Sequence, residues 1–306
     1  MLLKAVFEGP TPLSSIFSPK VLDGDKLRSD PDTIGALGGG FSFFPGVRTV
    51  VEIGEGDGLS IEINGEPASF PPSEKAVEML RKVAVFEGHV KVSHSIHVPI
   101  AMGFGTSAAA ALGVLMALSR LVGRPLTLRE ALKHTHRVEV LCKTGLNSEA
   151  GFGHTGLVLV LKEGSPDHAV IDEIPLPPKT KLIAVAAEKT ETPEAIASVE
   201  RLRQLEQIGD RYMDRILRNP TPENFLKQAR AFAYEAGFID NTVHQIFDTF
   251  DKLPTIGYAQ NMVGKAVHAI VYEEDAEKIV ETLKKKFPNY PVYVGEAGAS
   301  LLLKTE

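Results

Sequence analysis

The fold is decided by a short stretch at residues 99–113, which reads PIAMGFGTSAAAALG. Two glycines, Gly103 and Gly105, stand just before two hydroxyl residues, Thr106 and Ser107. An alanine-rich apolar run follows directly. Glycines at the start of a helix allow close approach to the backbone, and hydroxyls there can bind an anion or a metal ion.

The segments on either side give this stretch its structural context. Residues 90–98 alternate between apolar and other side chains, which predicts a strand. The alanine-rich run predicts a buried helix that ends near Gly123. The first N–H groups of such a helix have no partner within it and carry the positive end of the helix dipole. The pattern therefore favours a phosphate-binding turn, with simple helix capping as the structural alternative.

Other glycine motifs fail on their context. Gly103, Gly105 and Ala108 fit a dinucleotide-binding pattern, but that pattern needs a parallel strand after the helix, and a second helix follows here. A further match at 151–156 leads into the strand LVLVL, so no helix N-terminus follows it. Gly264 precedes a lysine, as in a nucleotide-binding P-loop. The Ser or Thr and the glycine spacing of a P-loop are missing there, so this motif is rejected.

Composition excludes several classes of protein. The chain has 306 residues, 43% of them hydrophobic, with a net charge of −6, which argues against general nucleic-acid binding. Its single cysteine, Cys142, excludes an internal disulfide. No apolar run is long enough for a membrane span. We expect a cytoplasmic protein without a nucleic-acid or membrane partner.

The order of predicted elements indicates an α+β fold in two parts. A proline-rich joint, IPLPPKT at 174–180, predicts a boundary between a domain at 1–175 and a domain at 176–306. Residues 8–19 read as a loop because Gly, Pro and Ser are frequent there. Thr127 and Glu130 predict a capping box for a helix that follows the alanine-rich one. In the second half, Thr192-Pro193-Glu194 is expected to open a long amphipathic helix, and Thr221-Pro222-Glu223 is expected to open another.

Residues 99–109, P-x-A-x-G-F-G-T-S-A-A, resemble the central signature of the GHMP small-molecule kinases. Ala101, Phe104 and Thr106 stand where that family usually has Gly, Leu and Ser. Weaker similarities in the same order along the chain, such as HRVEV at 136–140, point to the archaeal pantoate kinase branch. The resemblance implies a GHMP kinase fold, with an N-terminal ribosomal-protein-S5-domain-2-like domain and a C-terminal ferredoxin-like α/β domain.

The resemblance also assigns nucleotide and metal ligands. ATP phosphates are expected against the turn before the helix, and Mg²⁺ is expected on Ser107 and Glu139. The expected ATP-binding residues are Pro99, Ala101, Gly103, Phe104, Gly105, Thr106, Ser107 and Ala108. By the same family pattern, Asn261–Gly264 is expected to border the phosphate site.

One catalytic position departs from the family pattern. Many members have an Asp, proposed as the base, in the turn after the helix that carries Glu139. Here that turn reads TGLNSEAG, and Asn147 or Ser148 takes the place of the Asp. Neither side chain acts as a base at neutral pH. Homoserine kinases resemble this chain in having Asn at that position. Glu149 is a candidate for a substitute base.

Substrate contacts are expected near the N-terminus. Ser14, Ser15 and Ser18 are candidates for a hydroxyl or carboxylate, although the family pattern has Gly where this chain has Ser15. Arg28 or Arg48 could pair with a substrate carboxylate.

The expected reaction transfers the γ-phosphoryl group of ATP to a hydroxyl of a small carboxylated alcohol. Pantoate, giving 4-phosphopantoate for coenzyme A synthesis, is the first choice. The alternatives are a homoserine- or mevalonate-class kinase of the same fold, or a non-catalytic ligand-binding protein on the same scaffold. A homodimer is a family-level expectation.

Overall fold

The computed structural model describes residues 3–188, 198–262, 264–298 and 300–305. Its first-half strands are β1 (Leu3–Lys20), β2 (Leu22–Asp23), β3 (Lys26–Leu27), β4 (Gly35–Gly54), β5 (Leu59–Ile63), β6 (Glu66–Pro67), β7 (His89–Ile96), β8 (Leu157–Lys162) and β9 (Val170–Ile174). The later strands are β10 (Thr180–Glu188), β11 (Gly257–Gln260), β12 (Lys265–Tyr272), β13 (Val292–Ala297) and β14 (Leu302–Thr305).

The helices lie between these strands in the sequence. They are α1 (Pro71–Val83), α2 (Thr106–Leu121), α3 (Leu128–Cys142), α4 (Val199–Arg218), α5 (Pro222–Glu235), α6 (Asn241–Phe250) and α7 (Glu273–Lys286), with a 3₁₀ turn at Ser148–Gly151. The order confirms the α+β class. The predicted start of α4 at Thr192 lies outside the described residues; within them Ser198 caps the helix by accepting from the Arg201 N–H.

Strands β1 and β4 form a long antiparallel pair along nearly their whole length. The expected loop at residues 8–19 is therefore wrong, because this segment lies within β1. The glycine run at 38–40 allows the two backbones to approach: a Cβ atom at Gly40 would lie 1.9 Å from the carbonyl oxygen of Leu13. Glycine and proline weaken a strand pattern in the sequence, but here they fit a close and irregular pairing.

Strand β4 connects the two halves of the chain within one sheet. On the edge away from β1 it pairs in turn with β8, β13 and β7. β13 continues into β10, β12 and β11, so the described strands give a twelve-stranded sheet with contributions from both halves. The last strand, β14, returns to pair with β1.

Helix α2 is the buried helix that the alanine run predicts. Residues from Ala108 to Leu115 have almost no exposed surface, and the helix packs against β1 and β4 with α1 and α3 beside it. α3 begins with the predicted capping box, in which Thr127 and Glu130 bond each other's backbone N–H. Helices α1, α2 and α3 thus pack on one another, with α2 against the sheet.

Strand β10 is buried on both faces. Leu182 and Ala184 lie in the apolar core that also contains α2, whereas Ile183 and Val185 lie in a second core with α6 and α7. This alternation is the two-residue period of a strand. The first core thus contains residues from both sides of the proline-rich joint, and the division at 175/176 stays a prediction. Within the described residues, no helix is long and apolar enough to cross a membrane.

Candidate active site

The turn before α2 leaves the start of that helix open to a ligand. Ala101, Gly103 and Gly105 all have positive φ angles, of 63°, 74° and 65°. Gly105 is the N-cap residue, and α2 has neither a side-chain cap nor an acidic residue in its first turn. Its first N–H groups therefore keep the positive end of the helix dipole without a competing side chain, which is the arrangement that binds phosphate.

The two glycines of this turn lie against other parts of the backbone. A Cβ atom at Gly103 would lie 2.2 Å from the carbonyl oxygen of Asn261, and one at Gly105 would lie 2.3 Å from that of Pro12. Because neither glycine has a side chain, this turn packs directly against β1 and against the β11–β12 turn. The predicted position of Asn261–Gly264 beside the glycine-rich turn is consistent with these contacts.

The side chains of the turn divide into core and ligand-accessible groups. Phe104 is buried, with its ring 5.7 Å from that of Phe43 and 6.0 Å from that of Tyr293. Its expected contribution to ATP binding is therefore limited to its backbone. Thr106 and Ala108 are also buried, whereas the Ser107 side chain is partly exposed. Pro99 is partly exposed and Ala101 is exposed at the surface of the turn.

Glu139 carries an unusual carboxyl group in the last turn of α3. The residue is 1% exposed, and neither carboxyl oxygen has a hydrogen-bond partner among the described residues. Burial, with the charge of Glu149 adding to it, raises the pKa of Glu139 to about 8, and the nearby Ser148 hydroxyl partly opposes the rise. Gly145 separates the two: a Cβ there would lie 2.4 Å from Glu139 Oε1 and 2.5 Å from Ser148 Oγ. An unpartnered buried carboxylate is suited to bind a cation.

Asn147 is fully occupied by structural contacts. Its Oδ1 accepts from the N–H groups of Ala36 at 3.0 Å and Gly164 at 3.2 Å. Its Nδ2 donates to the Gly164 carbonyl at 2.6 Å and to Glu149 Oε1 at 3.3 Å. A carboxamide has two donors and an oxygen that accepts about two bonds, so none remains for a substrate. Asn147 holds the β4 start and the β8 end together.

Glu149 is bound to a histidine and is not placed as a free base. Its Oε1 lies 2.8 Å from His136 Nδ1, and His136 Nε2 lies 2.9 Å from the Pro31 carbonyl. Burial alone lowers the pKa of His136, but the bond to Glu149 raises it overall. The buried pair anchors the 3₁₀ turn to α3.

A cavity of about 40 Å³ lies between β1, β4 and the 3₁₀ turn. It is lined by Ser14, Asn147 and Ser148 together with glycine and apolar residues. The 3₁₀ turn also contacts α2 and α3. Pro12, which also lines the cavity, packs against Gly105 at the start of α2, and the cavity residue Ser148 lies near Glu139 at the end of α3. These contacts bring the cavity, the start of α2 and the end of α3 to one site.

The three N-terminal serines have different surroundings. Ser14 lines the cavity, as a substrate contact requires. Ser18 donates to the Glu206 carbonyl at 3.1 Å and to Asp210 Oδ1 at 2.7 Å, which fastens β1 to α4. Ser15 is buried against His268. Of the three serines, Ser14 is the one among the residues that line the cavity.

The two candidate arginines lie outside the cavity lining. Arg28 donates to the carbonyl of Thr33 at 2.6 Å and to Glu163 at 2.9 Å, so its guanidinium is committed to the segment before β4. Arg48 lies on β4 opposite Glu8 of β1 and Ser95 of β7. The structure therefore brings neither arginine to the cavity.

Sequence reasoning missed a buried polar chain beside the site. His268 Nε2 lies 2.9 Å from Ser15 Oγ, and His268 Nδ1 lies 2.8 Å from Asn261 Oδ1. The one signal for it was a histidine inside the apolar strand KAVHAIVY. A buried histidine must find partners, but the sequence does not say which.

A larger cleft of about 470 Å³ lies at the proline-rich joint. Lys181 lies there between Glu296 at 2.5 Å and Glu273 at 3.2 Å. None of the described residues that line this cleft belongs to a glycine-rich helix start, so the turn before α2 is the better candidate for phosphate.

These features define a small-molecule kinase. Residues 73–153 match the family model of the GHMP kinases N terminal domain. Pantoate kinase from Thermococcus kodakarensis is 28% identical over 301 residues, covering 97% of this chain and 96% of its own. A mevalonate kinase from Thermococcus onnurineus is 30% identical over 132 residues, but only 42% of this chain and 37% of that one align.

A solved structure described as a phosphotransferase related to the CoA biosynthesis pathway has the same fold. It superposes with a TM-score of 0.83 at 26% identity and covers 99% of both chains. Both comparisons extend over the whole fold, including β1 and the second half. The chain is thus similar to pantoate kinases over most of its length.

Proposed function

We propose that this protein transfers the γ-phosphoryl group of ATP to the hydroxyl of pantoate, forming 4-phosphopantoate. The observation that carries the proposal is the unpartnered buried carboxyl of Glu139 beside a cavity that adjoins the uncapped start of α2. The similarity to pantoate kinases over nearly the full chain supports pantoate as the acceptor.

The residues present fit a magnesium ion. Carboxylate and hydroxyl oxygens are the ligands that Mg²⁺ takes, and the two Glu139 oxygens have no other partner among the described residues. Glu139 and Ser107 would hold it. When bound, the ion neutralises charge on the nucleotide phosphates.

The chain's own groups then position the reactants. N–H groups of the first α2 turn stabilise charge on the phosphate oxygens, and Ser14 and Ser148 orient the acceptor in the cavity. Phosphoryl transfer has a loose transition state in which positioning and charge stabilisation dominate, so an Asp base is dispensable. The acceptor proton passes to an oxygen of the transferred phosphoryl group. About 40 Å³ is the space of one or two waters, so acceptor binding widens the cavity.

A coupled assay for ADP release from Mg-ATP tests this function. The acceptors are pantoate, homoserine, mevalonate and shikimate, each at the same concentration, with Ser107→Ala as the impaired variant. We expect turnover with pantoate alone and a large loss of kcat in Ser107→Ala. Turnover with homoserine or mevalonate in place of pantoate would assign the protein to another branch of the family.

A further inference from the structure

Three buried polar side chains connect distant parts of the chain next to the proposed site. Ser15 lies on β1, His268 lies on β12 and Asn261 lies in the turn between β11 and β12. All three are fully buried, and the two bonds between them are 2.9 and 2.8 Å long. We call this set the Ser15–His268–Asn261 relay.

The relay has a fixed direction. Asn261 Oδ1 only accepts, so His268 Nδ1 carries the proton and donates to it. His268 Nε2 is then an acceptor, and the Ser15 hydroxyl donates to it. Burial lowers the pKa of His268 to about 3, so the ring is neutral at physiological pH. The relay is uncharged, and its two bonds set the orientation of the His268 ring.

The Ser15 end fixes an irregularity of β1 at the cavity. In the β1–β4 pairing Ser14 lies opposite Gly40 and Ile16 lies opposite Gly39, so Ser15 is the extra residue of a bulge. Bulges redirect neighbouring side chains and often lie beside active sites. Ser14 and Ile16 both line the cavity. The bond from Ser15 to His268 therefore determines where Ser14 points.

The Asn261 end fixes the glycine-rich turn. A Cβ at Gly103 would lie 2.2 Å from the Asn261 carbonyl oxygen and 2.8 Å from the Asn261 Cβ. A Cβ at Gly264 would lie 2.4 Å from the Met102 carbonyl carbon. The β11–β12 turn thus packs directly on the turn that precedes α2. A shift of Asn261 must displace Gly103.

We propose that the Ser15–His268–Asn261 relay positions the acceptor cavity against the phosphate-binding turn, with Ser15 setting the cavity side and Asn261 the nucleotide side. The inference rests on the proposed function. Its members are positioning residues, because they act through Ser14 and Gly103 and do not touch the reactants.

Two substitutions of His268 separate the ends of the relay. Asparagine carries its donor near the place of Nδ1, so His268→Asn keeps the bond to Asn261 and loses the bond to Ser15. Glutamine carries its acceptor near the place of Nε2, so His268→Gln keeps the bond to Ser15 and loses the bond to Asn261. Ser15→Ala removes the same bond as His268→Asn with a smaller change.

We expect His268→Asn and Ser15→Ala to raise the acceptor KM about five- to tenfold, the effect of one hydrogen bond, with nucleotide affinity unchanged. His268→Gln is expected to weaken binding of a non-hydrolysable ATP analogue in calorimetry by a similar factor, with the acceptor KM unchanged. Ser73→Ala is the matched control, since it removes a buried 2.8 Å bond to His94 away from the cavity lining. It should lower Tm without changing either constant.

Equal shifts of both constants in all variants, or a pattern like that of Ser73→Ala, would overturn the relay. If wild type turns over no acceptor, the proposed function fails. Analogue binding then still tests the Asn261 end, because it needs no turnover: unchanged affinity in His268→Gln refutes the relay. If the His268 variants do not fold, Ser15→Ala decides by the same split between acceptor KM and nucleotide affinity.

Discussion

The backbone carbonyl of Asn261 lies directly against the Cα of Gly103, so that a Cβ there would come within 2.2 Å of the oxygen. This contact joins the turn before α2 to the β11–β12 turn, although the two are far apart in the sequence. The glycine-rich turn before α2 is therefore shaped by tertiary packing as well as by its own glycines.

Gly103→Ala is expected to reduce both stability and activity. Gly103 has φ of 74°, and its neighbour is backbone that cannot rotate away. Gly123→Ala is the matched control, because Gly123 has φ of 70° with nothing within 4 Å of a Cβ. The control should show only the left-handed strain of about 1 kcal/mol, and Gly103→Ala should lose more in urea denaturation. Equal losses of unfolding free energy in the two variants would show that the structure accommodates a Cβ at Gly103 beside Asn261 without additional destabilisation.

Glu139→Gln is expected to abolish most turnover while leaving the fold intact. The carboxamide keeps the shape of the side chain but offers a metal ion no negative charge. We expect kcat to fall by roughly two orders of magnitude, in the range seen when one electrostatic group is removed. An unchanged kcat in the coupled assay would remove Glu139 from the metal site.

The raised pKa of Glu139 also predicts a pH dependence of stability in metal-free protein. In the folded state the carboxyl titrates near pH 8, against 4.5 for its ordinary value, so the unfolded chain binds fewer protons between these pH values. Stability contributed by the protonated form is complete below about pH 4.5 and is lost as pH rises through 8. Chemical denaturation with chelator at pH 6 and pH 8.5 should show a decline in wild type that is smaller in Glu139→Gln. Parallel declines in the two proteins would contradict the assignment.

Ser14 and Ser18 are expected to differ in role although both were substrate candidates. Ser14 lines the cavity, so Ser14→Ala should raise the acceptor KM. Ser18 bonds α4 through Glu206 and Asp210, so Ser18→Ala should cost about 1 kcal/mol of stability with the KM unchanged. Steady-state kinetics and thermal scans on the pair measure both effects. A raised KM in Ser18→Ala would return that residue to the substrate site.

Asn147→Asp is expected to destabilise the protein and not to supply a catalytic base. The change replaces the Nδ2 donor with an acceptor that faces the Gly164 carbonyl and Glu149. Leaving buried acceptors without donors costs about 1–3 kcal/mol. Urea denaturation measures the loss, and Ser148→Ala on the same turn serves as the comparison. A stable Asn147→Asp variant with raised kcat would contradict the structural role.

The sequence predicts local elements well where one short signal decides them. The alanine run gives α2, Thr127 and Glu130 give the cap of α3, and Thr221-Pro222-Glu223 gives the start of α5. The part of β1 at residues 8–19 was missed because its glycine, prolines and bulges are explained only by its partner β4. Local pattern carries no information about such a partner.

The candidate site shows the same limit. The family resemblance leads to Ser107 and Glu139, which lie on α2 and α3. It does not show that Ser18 and Arg28 are bound to other side chains, nor that His268 joins Ser15 to Asn261. The contacts of Ser18 with Asp210, of Arg28 with Glu163 and of Ser15 with His268 each join residues more than a hundred positions apart. The magnesium site, the two-domain division and a homodimer stay predictions.

Pantoate phosphorylation at this site is tested most directly by ³¹P NMR of pantoate incubated with Mg-ATP and the protein. We expect wild type to give a new phosphomonoester signal together with ADP, and Glu139→Gln to give almost none. If wild type gives no such signal with pantoate while the folded protein still binds ATP, the proposed phosphorylation of pantoate at this site is contradicted.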